Sequence, residues 1–231
     1  MKKRSSFDIS SYLIVGPENT HGRPVADIVR VALSSGFTCL QLRSKVATAR
    51  DMLALTRACA DVRAELGRAD RVALLIDDRL DLVLAARELG IPVDGVHVGQ
   101  TDVPPDLCRQ LLGPDAIVGL SAPRTELLQY IRTGDLSIID YLGAGPLHPT
   151  ASKPDAGLRP DGTRHLRTLD ELAALAKESP IPVVVGGGVK KSDLPALKRT
   201  GAAGFFVISA VAGAEDPGMA AKELVTTWNK A

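Results

Sequence analysis

The sequence predicts an α/β fold, a single (β/α)8 TIM barrel. Three observations predict it. Eight short apolar runs alternate with eight stretches of helical spacing along the 231 residues. The runs are near-continuously apolar, as strands are when both faces of a parallel sheet are buried. Polar and charged residues follow the runs directly, and barrels of this kind carry their active sites at those strand ends. The length agrees, because α/β barrels routinely run about 200–250 residues as one unit. Composition does not break along the chain, so residues 1–231 are expected to form one domain, with 1–10 as a flexible N-terminal extension.

Residues 12–15 form the first run, and Gly16 and Pro17 end it. Residues 23–35 carry Val25, Ile28, Val29, Ala32 and Leu33 at helical spacing, and Gly36 stops them. A strand over 38–43 ends on polar residues, with Lys45 just beyond. A long helix over 48–66 is rich in Ala and Leu. The strand at 72–76 runs straight into Asp77, Asp78 and Arg79, and a helix over 80–89 follows with Gly90 as its cap. The strand at 94–98 leads into Gly99, Gln100, Thr101 and Asp102. Pro104 and Pro105 open a helix to 112. A strand at 116–120 ends at Ser121, a helix spans 125–132, and a strand at 138–142 runs into the Gly- and Pro-rich stretch YLGAGPLHPTASK, residues 141–153. Next come a helix over 162–178, a strand at 181–185 with three glycines after it, and a helix over 192–199 with Ser192 as N-cap. The last strand is 204–208, and the last helix is 216–228.

Composition narrows the function. With 45% hydrophobic and only 3% aromatic residues, the core must come from Val, Ile, Leu and Ala. The net charge is 28 − 27 = +1 and the basic residues are scattered, so no nucleic-acid partner is expected. Cys39, Cys59 and Cys108 lie far apart without a CxxC, which fits a reduced cytoplasmic protein rather than a disulfide scaffold or zinc site. The N-terminus turns polar after its basic residues, so it does not read as a signal peptide. No apolar run approaches the roughly 18 residues of a membrane span, so no membrane partner is expected. A homo-oligomer stays open, because apolar helix faces can pack within one barrel or between copies.

The strand ends carry the chemistry. Arg43 and Lys45 are two apart and point the same way on an extended segment, which suits a doubly charged phosphate; a solvated pair is the alternative. Lys153 adds a third cation in a hydroxyl-rich loop suited to cradling an anion. Asp77, Asp78 and Asp102 follow adjacent strands, and carboxylates beside cations and phosphate oxygens describe a Mg2+ site. Asp77 and Asp102 fit helix N-caps equally well, while Asp81 suits the first turn of its helix. Gly186, Gly187 and Gly188 after the seventh strand, with Ser209 and Ala210 after the eighth, sit where barrels commonly bind phosphate. No Ser-His-Asp set or cysteine nucleophile is evident. His97 and His148 fall near the site face, His21 and His165 away from it, and none receives a catalytic role.

These pieces resemble the thiamine phosphate synthase family. The matching stretches are QLRSK at 41–45, IDDRLDLVLA at 76–85, DGVHVGQTD at 94–102, GLSA at 119–122, DYLGAGPLHPTASK at 140–153, the glycines at 186–188 and GFFVISAV at 204–211. They come in the family's order and span nearly the whole chain; GPLHPTASK and HVGQTD are the most specific. The resemblance implies a transferase joining hydroxymethylpyrimidine diphosphate to a thiazole phosphate. It implies that Gln41, Arg43, Lys45, Asp77, Ser121 and Lys153 hold the pyrimidine diphosphate, that Thr150, Ser152, Gly187, Ile208 and Ser209 hold the thiazole phosphate, and that Asp78 and Asp102 bind Mg2+. The family usually has Asn at position 77, and the extra carboxylate needs Mg2+ or Arg79 to offset its repulsion. A sister thiazole tautomerase would need a histidine two positions after Ser121, where this chain has Pro123. A non-catalytic phosphate sensor on the same scaffold would need no metal carboxylates.

Overall fold

The structure, a computed structural model, describes residues 7–121, 127–154, 156–158 and 161–231. Eight parallel strands close into a barrel in chain order, with the eighth pairing the first. The strands are β1 (Ser11–Val15), β2 (Cys39–Leu42), β3 (Ala73–Asp77), β4 (Gly95–Val98), β5 (Ile117–Ser121), β6 (Tyr141–Ala144), β7 (Val183–Val185) and β8 (Gly204–Val207). The helices between them are α1 (Val25–Ser34), α2 (Ala49–Glu65), α3 (Leu80–Glu88), α4 (Pro105–Leu112), α5 (Leu127–Thr133), α6 (Leu169–Glu178) and α7 (Leu194–Arg199). A four-residue helix α8 (Ser209–Ala212) precedes the final helix α9 (Pro217–Lys230).

Apolar residues on both faces of each strand sort into two cores. One lies between the barrel and its helices: Leu13, Leu40, Leu74, Val96, Val118, Leu142 and Phe205 face the apolar stripes of the helices there. The other fills the barrel: Tyr12, Ile14, Cys39, Ala73, Leu75, Ile117, Tyr141 and Val184. Side chains alternate between these two cores along each strand, as strand geometry requires. Helix starts follow local chemistry. Thr48 caps α2 by accepting from the Asp51 amide, and Thr168 with Glu171 forms a capping box on α6.

Four expectations change. The strand expected at 138–142 is β6, Tyr141–Ala144, and Leu136–Ile138 form a 3-10 turn leading into it. The helix expected from 162 begins at Leu169, because Gly162 takes a left-handed φ of 81° and the capping box starts the helix at Thr168. Ser192 is not an N-cap: Lys191–Asp193 form a 3-10 turn, and the Asp193 carboxylate accepts from the Lys190 amide. Of the expected extension 1–10, residues 1–6 lie outside the described residues, whereas Ile9 is buried and the Phe7 ring packs on Tyr141 at 6.0 Å. Among the described residues no helix is long and apolar enough to cross a membrane.

Candidate active site

A cavity of about 590 Å³ opens at the C-terminal ends of the strands. All the residues expected to hold the pyrimidine diphosphate line it: Gln41, Arg43, Lys45, Asp77, Ser121 and Lys153. So do Thr150, Ser152, Gly187, Ile208 and Ser209, and the carboxylates Asp78 and Asp102. Strand alternation explains much of this. Gln41, Asp77, His97 and Ser121 occupy inward positions at the tops of β2 to β5, above the apolar interior.

The carboxylates are not helix caps. Gln41 Nε2 donates to Asp77 at 2.9 Å, and Arg43 Nε approaches its other oxygen at 3.1 Å. Burial, and then the charge of Asp78, push the Asp77 carboxyl up to about 7 against the pull of Arg43, Lys153 and Lys45. Arg79 does not offset Asp77; it pairs with Asp81 on the surface. Asp78 adopts a left-handed φ of 60°, a conformation uncommon for a side chain larger than glycine, and its amide donates to the His97 carbonyl at 2.7 Å. Lys45 pairs with its carboxylate. Burial raises the Asp78 carboxyl, but hydrogen bonds from Lys45 and Asp102 outweigh it and hold the group below the usual range. Asp102 is raised by burial and by its bond to Asp78, while accepting from the Gly99 amide at 2.8 Å. Among the described residues no three His, Cys, Asp or Glu side chains form a cage. A carboxylate pair is a donor set that suits Mg2+, which takes one or two protein carboxylates plus other oxygens and water.

The opposite rim is backbone. Gly187 and Gly188 have φ of 80° and 71°, and the Gly187 carbonyl accepts from the Leu147 and His148 amides, tying the β6–α6 loop to the β7 end. Ser209 opens α8 beside them. His148 pairs with Asp193 at 3.0 Å. The cavity floor is apolar and was not foreseen: Tyr12, Ile14, Val184 and Phe206. Gly186 leaves room for the Phe206 ring, which a Cβ there would meet at 2.0 Å. His97 also lines the cavity, and burial, with Lys153 acting the same way, pushes it down to about 4. Pro123 lies outside the described residues.

Comparison with known proteins decides the family. A family model described as thiamine monophosphate synthase matches residues 11–211. The chain belongs to the thiamine-phosphate synthase family. It is a transferase of thiamine biosynthesis. A thiamine-phosphate synthase of Corynebacterium efficiens is 40% identical over 229 residues, covering 98% of each chain. One from Syntrophomonas wolfei is 39% identical, covering 96% of this chain and 98% of the relative. Among solved structures, thiamine phosphate pyrophosphorylase from Pyrococcus furiosus superposes with a TM-score of 0.76 at 31% identity, covering 96% of both chains. A 3-hexulose-6-phosphate synthase, at 16% identity and a TM-score of 0.63, shares the barrel fold alone.

Proposed function

We propose that this chain couples 4-amino-2-methyl-5-hydroxymethylpyrimidine diphosphate with hydroxyethylthiazole phosphate, releasing thiamine phosphate and diphosphate with the help of Mg2+. One observation carries the reading. Arg43, Lys45, Lys153 and the Asp78–Asp102 pair meet at one rim of a cavity whose other rim is Gly187, Gly188 and Ser209. Two anion pockets on one cavity suit two phosphorylated substrates.

Gln41, Arg43, Lys45, Asp77, Ser121 and Lys153 would hold the pyrimidine diphosphate, and Thr150, Ser152, Gly187, Ile208 and Ser209 the thiazole phosphate. Asp78 and Asp102 would hold Mg2+, which when bound neutralises charge on the departing diphosphate. The cations of the chain stabilise the same developing charge from fixed positions. The apolar floor of Ile14, Val184 and Phe206 keeps water from the methylene carbon as the diphosphate leaves. The aminopyrimidine spreads the positive charge on that carbon, so the reaction is carbocation-like, and the thiazole nitrogen attacks it. No protein nucleophile is needed. The three cysteines are buried and outside any disulfide, which supports a cytoplasmic location, and the packing of the described residues around one barrel supports a single working domain.

The test is thiamine phosphate formation by purified protein from the two substrates, with Mg2+ and with a chelator. Product only with Mg2+ is expected. No product under either condition, from folded protein, sinks the reading. Asp102→Ala should abolish Mg2+-dependent turnover and leave the barrel folded; unchanged turnover removes Asp102 from the metal pair.

A further inference from the structure

A hydrogen-bonded chain runs through the barrel interior to the cavity. The Tyr12 and Tyr141 hydroxyls are 2.9 Å apart, Tyr141 Oη lies 2.8 Å from His97 Nδ1, and His97 Nε2 lies 2.9 Å from Ser121 Oγ. Register makes this chain. His97 on β4 is level with Gly119 on β5, which is level with Tyr141 on β6. Gly119 has no side chain, and a Cβ there would fall 2.2 Å from the Tyr141 ring. Tyr141 therefore reaches across β5 to His97, and the two rings stack with centroids 5.4 Å apart.

Either Ser121 donates to His97 or His97 donates to Ser121. If Ser121 donates to His97, the protons run inward and Tyr12 is left with an O–H to place. Among the described residues Tyr141 is the hydrogen-bond partner of that hydroxyl, which lies in the barrel interior with Ile9, Ile14 and Phe206; the buried Cys39 thiol, a weak acceptor, and then Asp77 act on it electrostatically. A buried donor left with only a weak thiol acceptor is costlier than an oxygen with a spare lone pair. The other wiring leaves no orphan: Tyr12 donates to Tyr141, Tyr141 to Nδ1, and Nε2–H to Ser121 Oγ.

We propose that His97 is a positioning residue for this reaction, held as the Nε2–H tautomer by Tyr141, so that Ser121 presents its hydroxyl proton to the cavity. Ser121 is thereby a donor, suited to an oxygen gaining negative charge rather than to an amino group. This role for Ser121 rests on the proposed reaction. The wiring itself does not.

The experiment has two arms. In 15N spectra of histidine-labelled protein at pH 7, with His97→Gln identifying the signal, His97 should show a protonated Nε2 and a bare Nδ1. The opposite tautomer, or both nitrogens protonated, overturns the wiring whether or not the protein makes thiamine phosphate. In kinetics, His97→Gln keeps a donor for Ser121 at the place of Nε2–H, though not the ring's acceptor for Tyr141, so kcat should stay within about fivefold. His97→Phe keeps the ring volume and loses both, so kcat should fall about a hundredfold, the scale of one lost transition-state donor, with KM for the pyrimidine diphosphate little changed. Tyr141→Phe, which frees the imidazole to take either tautomer, should fall between. Equal losses for Gln and Phe in folded protein, or a loss carried by KM alone, overturn the positioning role. A wild-type protein that makes no product fails the proposed reaction instead.

Discussion

Asp77 shows how one residue sets a pH response. Folded, its carboxyl is raised to about 7, first by burial and then by Asp78. Unfolded, it ionises near the ordinary value of about 3.9. Between these values the folded state binds a proton that the unfolded state has released, so this group makes stability fall as pH rises from about 4 to about 7. Asn cannot ionise but still accepts from Gln41. Asp77→Asn should therefore raise the Tm of the substrate- and metal-free protein at pH 8 and leave it nearly unchanged at pH 4. Calorimetry across that range decides it, and a pH-independent difference would count against the assignment. Lys153 lies at the same rim and acts electrostatically on Asp77, Asp78 and His97. Lys153→Ala should raise KM for the pyrimidine diphosphate roughly tenfold, the worth of one hydrogen bond to a charged group, and move the thiazole phosphate less. The reverse order in steady-state kinetics would mean the two pockets are exchanged.

Between elements, the same brace occurs twice under the barrel. Arg63 on α2 donates to the Val72 and Pro92 carbonyls and to Asp94, whose carboxylate also accepts from the Leu74 amide of β3. Arg109 on α4 donates to the Ala116 and Ile138 carbonyls and to Asp140, which accepts from the Val118 amide of β5. Each brace ties an even helix to the strand after it and to the entry of the next strand, and each arginine precedes its aspartate by 31 residues. Removing one partner strands a buried charge. Arg63→Ala and Asp94→Ala should each cost about 3–5 kcal/mol in urea unfolding, whereas Arg30→Ala, in an exposed pair with Glu65, should cost under about 1 kcal/mol. Similar costs at both sites would refute the distinction. The sequence shows Asp94 and Asp140 only as polar residues at the edges of apolar runs; their partners are remote and become visible only in the fold.

For the molecule as a whole, closure depends on the seam between the last and first strands. Phe205 on β8 packs edge-on against Phe37 at 6.0 Å and, tilted, against Trp228 of α9 at 5.4 Å. Trp228 is 1% exposed, although α9 lies beyond the residues the family model spans. Trp228→Ala should cost about 3–5 kcal/mol, and a chain ending before α9 should lose the cooperative unfolding transition seen by circular dichroism. A truncated chain that still melts in one sharp transition would show that α9 is dispensable.

The alternation of apolar runs and helical spacing was enough to count eight strands, and the polar residues and glycines after those runs pointed to Arg43, Lys45, Asp77, Asp78, Asp102, Ser121, Lys153, Gly187 and Ser209, all of which line the cavity. Those signals are local: strand ends, glycines and charges sit within a few residues of the patterns that reveal them. Which side of a strand faces the axis was not readable, because both sides are apolar. Tyr12, Phe206 and Tyr141 therefore passed as ordinary strand residues. The run at Ile138 and Ile139 drew the expected sixth strand a few residues early for the same reason. Inside was separated from outside only by closing the barrel, which sets one register for all eight strands at once. That register, with Gly119 as the gap, is what brings His97, Tyr141 and Ser121 into contact from segments more than 20 residues apart.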